Sequence, residues 1–246
     1  MAGHSKWSNI KRKKAKTDAQ RGKIFTKLGR EISVAVKEGG SDPELNPRLK
    51  DAIAKAKAEN MPNDNIERSI KRASGELGTV HYDEITYEGY GPNGVAIIVE
   101  VLSDNRNRTA GEMRYIFDRG GGSLGASGCV AWMFERKGVL VIEDTNGVDE
   151  DELFMCALDA GAEDVIQEDG AFEILTLTSD FTEVRTHLEE NKYTFVSADI
   201  EMLPKNLVEL GNEDAQKVLA LIDQLEDNDD VQKVYHNLNL EGLDLE

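Results

Sequence analysis

Hydrophobic residues recur along this chain with two different periods, and the change from one to the other divides it. Phe25, Leu28, Ile32 and Ala35 stand three and four apart, the spacing of one apolar face on a helix. Gly39-Gly40 ends that run, and Asn46-Pro47 reads as an N-cap followed by proline at the first helical position. Leu49, Ile53 and Ala56 form the stripe of a second helix, stopped by Met61-Pro62. Ile66, Ile70 and Ala73 mark a third, opening at Asn63 or Asp64. The pattern predicts a three-helix unit.

From Thr79 the period shortens toward two. Residues 81–88 and 94–102 read as strands joined by the turn Gly89-Tyr90-Gly91-Pro92-Asn93-Gly94. Thr109-Ala110-Gly111-Glu112 fits a capping box, with Ala110, Met113 and Phe117 on one face of the helix it opens. A glycine-rich stretch, 120–128, then precedes a predicted strand at 129–134. Residues 138–203 alternate strand and helix in the order βαββαβ. Strands are predicted at 139–142, 165–167 and 172–177, with a last one where Ala198, Ile200 and Met202 alternate with acids; helices are predicted at 150–160 and 181–190. Glu168-Asp169-Gly170 is a tight-hairpin signal, and the element order is that of the split-βαβ, ferredoxin-like unit.

Past Pro204, Ala215, Val218, Ile222 and Leu225 define a helix leading to a strand at 231–235. That pair has no sheet of its own, and it completes the ββαβ pattern that begins at Thr79. The expected fold class is therefore α+β: an N-terminal three-helix domain plus two α+β sheet domains, one inserted in the other and ferredoxin-like. The expected boundaries are a basic arm at 1–22, a helical domain at 23–78, a split α+β domain of 79–137 plus 205–246, and the inserted domain at 138–204.

Charge changes the picture. The 246 residues are 39% hydrophobic and 31% charged, a globular balance, with a net charge of −18. Spread evenly, that charge would repel a nucleic acid, but residues 1–30 hold ten Lys/Arg against the single acid Asp18. Residues 31–72 hold eight of each sign, and 73–246 hold eleven basic against thirty-eight acidic residues. Such a split implies one surface for a polyanion and another that turns it away.

The cationic residues are Lys6, Lys11, Arg12, Lys13, Lys14, Lys16, Arg21, Lys23, Lys27 and Arg30. Crowded cations repel one another, so they gain nothing in isolation. A phosphate backbone supplies counter-charge and releases condensed counterions. Arg12 and Arg21 add bidentate geometry, while His4 and Trp7 are expected to stack on exposed bases. A solvated basic tail is the alternative; direct continuity with a helical unit and the presence of an aromatic favour the nucleic-acid interface. A second anion site is expected from Arg106 and Arg108, in the loop Ser103-Asp104-Asn105-Arg106-Asn107-Arg108-Thr109 at a helix N-terminus. Ordinary turn and capping chemistry by Asp104, Asn105 and Asn107 competes with that reading.

Catalytic patterns are wanting. The segment Gly120-Gly121-Gly122-Ser123-Leu124-Gly125 lacks the Lys-Ser/Thr pair of a P-loop and reads as a flexible connection. Residues 144–152 have calcium-loop acids, but Val148 and Asp149 stand where a ligand and the glycine are needed. His4, His81, His187 and His236 are scattered, and the acids at 226–230 read as a solvated helix end. We expect no enzyme activity, no cofactor and no metal. Cys129 and Cys156, set among apolar neighbours, read as reduced core thiols. No apolar run is long enough to span a bilayer and no apolar segment follows the N-terminal cations, so a cytoplasmic protein without a membrane partner is expected. The oligomeric state is left open.

Several stretches are distinctive. Met1-Ala2-Gly3-His4-Ser5-Lys6-Trp7, the basic run, and Arg21-Gly22-Lys23-Ile24-Phe25-Thr26-Lys27 resemble the opening of the YebC/PmpR family. So do Tyr87-Glu88-Gly89-Tyr90-Gly91-Pro92-Asn93-Gly94, the loop Ser103 to Thr109, Ala160-Gly161-Ala162-Glu163-Asp164, and Asp229-Asp230-Val231-Gln232-Lys233-Val234-Tyr235-His236-Asn237. The family includes the mitochondrial translational activator of cytochrome c oxidase subunit I. The resemblance implies a cytoplasmic protein with one helical and two α+β domains, and a transcriptional regulator that binds promoter DNA. The rival role it implies is translational: association with the ribosome through ribosomal RNA, with relief of stalling on proline-rich nascent chains.

Overall fold

The computed structural model describes residues 6–14, 21–75, 81–144, 148–168 and 170–243. Its mixture of helices and two four-stranded sheets is the α+β class expected. Contacts gather the described residues into two compact units. One takes residues within Met1–Lys16, Ala131–Ala215 and Tyr235–Glu246; the other takes those within Thr17–Val130 and Gln216–Val234. None of the described helices is long and apolar enough to cross a membrane.

The second of these units opens with helices α2 (Arg21–Gly39), α3 (Pro47–Ala58) and α4 (Asn63–Ala73). The expected stripes meet: Leu28, Ile32, Ala35 and Val36 pack on Leu49, Ala52 and Ala56 and on Met61, Ile66 and Ala73. Asn46 ties the first corner. Its carboxamide oxygen accepts from the Leu49 N–H at 3.1 Å, and its nitrogen donates to the carbonyls of Ala35 and Gly40 at 2.7 and 2.8 Å. A Cβ on Gly39 would stand 2.6 Å from the Asn46 side chain, and Gly40 has φ +89°, so glycine is required twice at this corner.

A sheet with strand order β3-β1-β2-β8 follows, built from β1 (Asp83–Tyr90), β2 (Ala96–Ser103), β3 (Ser123–Leu124) and β8 (Val231–His236). Strand β2 is almost wholly buried along its length, as a central strand covered on both faces must be. Helices α5 (Arg106–Arg119) and α8 (Asn212–Glu226) contribute buried Met113, Phe117, Val218, Leu221, Ile222 and Leu225. Strand β8 joins β2 only after the intervening sheet has been completed in sequence, so one sheet domain is inserted in the other.

Two expectations are corrected here. Helix α5 begins at Arg106, capped by Asn105, whose side chain accepts from the Arg108 N–H at 3.1 Å. Thr109 is thus inside the helix rather than its cap, because its hydroxyl is taken up by buried partners. The strand expected at 129–134 is a turn and a single 3-10 turn, Ala131–Met133. The edge strand β3 instead lies within the glycine-rich stretch, which is packed rather than merely flexible. A Cβ on Gly122 would stand 2.5 Å from the Tyr90 carbonyl oxygen.

The other unit holds β4 (Phe134–Glu143), α6 (Glu150–Asp159), β5 (Asp164–Glu168), β6 (Ala171–Thr176), α7 (Phe181–Glu190) and β7 (Ser197–Pro204). Strand order β5-β6-β4-β7, with every neighbour antiparallel, is the ferredoxin-like arrangement. Leu140, Ile142, Phe172 and Ile174 point to the face under α6 and α7, meeting Leu153, Ala157, Val184 and Leu188. Alternation sends Val139, Val141 and Ala171 to the opposite face. Cys129 and Cys156 are free, and burial pushes both thiols up, away from reactive thiolate.

The acids at 226–230 are not all solvated. Asp230 is 3% exposed and is the point at which three segments of its unit meet. Its carboxylate accepts from Thr109 Oγ1 at 2.5 Å, from Arg108 at 2.8 Å, and from Arg30. A threonine hydroxyl has one proton, so donation to Asp230 obliges Ser103 Oγ to donate to Thr109; Ser103 in turn accepts from the Asn105 N–H at 3.0 Å. Burial alone would raise this carboxyl, but the hydroxyl and the two guanidinium groups outweigh it and hold it at about 2, against an ordinary 3.8. The same pairing raises Arg108.

A depressed carboxyl stabilises the fold above its unfolded pKa and loses that contribution as pH falls through the folded value. The shift from 3.8 to about 2 corresponds to about 2 kcal/mol at neutral pH. Asp230→Ala should cost about 3 kcal/mol in urea denaturation at pH 7, since it strands Arg30 and Thr109 without their acceptor. Asp230→Asn should also be less stable than wild type at pH 7, with the gap closing between about pH 4 and pH 2. A gap that stays constant across that range would remove Asp230 from the acid response.

Candidate nucleic-acid interface

The cationic run begins as helix α1 (Lys6–Lys14), with the sequence Lys-Trp-Ser-Asn-Ile-Lys-Arg-Lys-Lys and no acid in its first turn. Trp7 is 5% exposed and packs with Ile10 on Val139, Val141, Ala171, Leu175 and Leu203, the sheet face that α6 and α7 leave open. Trp7 and Ile10 are three apart, so a single turn aims both rings and branches at the sheet. Its indole is therefore a core group, and the expected stacking of Trp7 on bases is corrected: the apolar sheet face competes for the ring and wins. His4 lies outside the described residues.

The sheet also caps this helix. The first N–H groups of a helix have no internal partner, and α1 has no capping acid of its own. Glu173, on the same face of β6 as Ala171, accepts from the Trp7 N–H at 2.6 Å. Glu201 of β7 holds Lys6 Nζ at 2.9 Å. Both carboxylates are about 5% exposed or less. Each puts negative charge at the positive end of the helix dipole, where it stabilises. Sequence reasoning missed both, because an acid alternating with apolar residues reads as the solvent side of a strand. The available clue was Trp7 itself, an apolar residue that had to be buried somewhere.

The other predicted cations divide into three groups. The side chains of Lys11, Arg12, Lys13, Lys14 and Arg21, and the whole of Lys16, lie outside the described residues. Lys27 and Arg30 serve the fold: Lys27 Nζ donates to the Glu226 carbonyl at 2.6 Å, at the C-terminal end of α8, and Arg30 reaches the Leu102 carbonyl at 2.8 Å as well as Asp230. Arg30 also lies over the Tyr82 ring, 5.3 Å from its centroid. Lys23 pairs with Asp227 at 2.5 Å, but both side chains are substantially exposed, 41% and 61%, a pair that water and salt readily loosen.

The secondary anion site meets competition. Arg108 is bound to Asp230 and Asp104, both at 2.8 Å, and approaches Glu112 at 3.8 Å. Arg106 lies 3.2 Å from Asp83 and is 66% exposed. The end of α5 is already capped by Asn105 and closed by Ser103 and Thr109, so capping and turn chemistry account for this loop. Arg106 is the member of the pair with room for a further anion. Another buried carboxylate, Glu88, has a similar structural duty: it accepts from the backbone N–H groups of Gly128 and Val130 at 2.6 and 2.9 Å.

Known proteins resemble this chain over nearly its full length. Residues 5–76 match the model of the TACO1/YebC protein N-terminal domain, and residues 82–238 match that of the TACO1/YebC second and third domain. A probable transcriptional regulatory protein of Caldicellulosiruptor bescii is 62% identical over 237 residues, covering 96% of this chain and 98% of that one. A protein of the same description from Thermoanaerobacter pseudethanolicus is 58% identical over 241 residues, covering 98% of each. Among solved structures, a conserved hypothetical protein of Aquifex aeolicus superposes with a TM-score of 0.83 at 47% identity, over 92% of this chain and 93% of its own. With one family model matching the N-terminal domain, another matching the second and third domain, and relatives of nearly equal length, this chain belongs to the TACO1/YebC family.

Proposed function

We propose that this protein regulates gene expression without catalysis, by holding the phosphate backbone of DNA with the cationic segment from Lys11 to Lys23. The observation that carries this reading is α1: five cations and no acid on nine residues, in a helix anchored to a folded sheet by Trp7 and Ile10. Lysine and arginine near a helix N-terminus oppose the helix dipole, and α2, which opens with Arg21 and Lys23, has no acid in its first turn. A bound polyanion offsets that cost. The acidic remainder of the chain repels the same partner and confines contact to this segment. The relatives' description as transcriptional regulators supports a role in gene expression.

Burial of Trp7 favours one further reading, ribosomal RNA in translation. With the indole in the core, the segment offers phosphate contacts and no described base-reading group, and phosphate contacts carry no sequence information. Structured RNA is recognised mainly by shape and backbone, which such a grip suits. Crosslinking in cells followed by sequencing separates the two: promoter fragments support the DNA reading, ribosomal RNA the other.

Engagement of about six phosphates on duplex DNA should give a log K versus log salt slope of about −5. Replacing Lys11, Arg12, Lys13 and Lys14 together by alanine should flatten that slope by about 3 and weaken binding, and a flat wild-type slope would end the proposal. Trp7→Ala should instead cost about 3 kcal/mol of stability in denaturant titration of the full chain, as a buried aromatic does. A loss under about 0.5 kcal/mol would mean that the helix does not depend on the indole.

A further inference from the structure

Helix α6 has two apolar sides, and only one of them is used by its own fold. Leu153 and Ala157 are buried against the sheet. Phe154, Met155 and Leu158 are 41%, 60% and 38% exposed. Phe154 and Leu158 are four apart, one above the other, with Met155 beside them, so the three form one outward ridge. A solvent-facing helix surface is ordinarily polar, and clustered exposed apolar side chains mark interaction sites. Glu150, Asp151, Glu152 and Asp159 stand within a turn of the ridge. Among the described residues none of these four acids forms an ion pair.

We propose that this face of α6 is a docking site for a protein helix with an apolar ridge flanked by lysine or arginine. The acidic rim makes the choice. A nucleic acid or an anionic membrane surface would meet like charge. A second copy of this chain would place acids against acids, because a two-fold contact pairs a patch with itself. A basic amphipathic helix matches both features: its apolar ridge covers Phe154, Met155 and Leu158, and its cations pair with the unpaired rim. Separate in sequence and chemistry from the cationic segment, the site gives the acidic part of the molecule a partner of its own.

The test uses the full chain and a fluorescein-labelled helical peptide of leucine and lysine, with leucines spaced to form one stripe. Two controls are a scrambled peptide of the same composition and a version with glutamate in place of lysine. The striped lysine peptide should bind, and each control should bind at least about tenfold more weakly. Phe154→Gln, Met155→Gln and Leu158→Gln together should weaken the striped peptide by about tenfold or more, with the circular dichroism spectrum unchanged. Asp151→Lys, a single exposed change that leaves the ridge intact, should also weaken it. Equal binding of the scrambled peptide would reduce the effect to charge and overturn the proposal, as would unchanged binding by the triple variant. A dimer in sedimentation that the triple variant abolishes would assign the face to a second copy and overturn it too.

Discussion

A carboxylate leaves water only where donors replace the hydration it loses, and that constraint organises this protein. Glu88, Glu173, Glu201 and Asp230 are all buried, in a chain with a large excess of acid. Each is matched to donors that would otherwise be difficult to satisfy. Glu173 takes a backbone N–H at the start of α1, Glu88 takes two N–H groups from a turn, and Asp230 takes two guanidinium groups and a hydroxyl. Unmatched, each buried acid would cost several kcal/mol; matched, it fixes where a helix or loop must stand. Asp230 does most, since its donors come from α2 and from the first turn of α5.

Much of the architecture was legible because apolar spacing determines which faces must be covered. The α2–α3–α4 stripes, the Asn46-Pro47 start and the βαββαβ order needed only periodicity and capping rules. The failures share a cause, which is that a local signal was outbid by a tertiary partner. Thr109 fits a capping box, yet its hydroxyl bonds a carboxylate more than a hundred positions away in sequence. The glycines at 120–125 read as slack, yet several lie where a Cβ would strike Leu221, Tyr90 or Cys129. Period-two strands cannot show which polar residue is solvated, so Glu173 and Glu201 were invisible until α1 was found over them.

The same competition bears on the basic segment. A sequence lists cations without saying which are already engaged. Lys6, Lys27 and Arg30 look like part of one polyanion-binding run, but each has a short contact within its own folded unit. Lys27 lies at the C-terminal end of α8, where the helix dipole is negative and a cation stabilises. Charge counting thus overstated the interface at both ends, where Lys6, Lys27 and Arg30 are committed to the fold.

Docking of α1 has a consequence for how such an interface would work. A free basic tail binds a polyanion at the cost of ordering each residue it uses. A helix whose Trp7 and Ile10 are already packed, and whose first turn is capped by Glu173, has met much of that cost during folding. The indole, an aromatic of the kind that stacks on bases, serves here as an anchor for the helix. Two opposed demands are met by one short segment. Its apolar residues cover an otherwise bare sheet face, and its first turn supplies donors to the buried carboxylates Glu173 and Glu201 of that sheet.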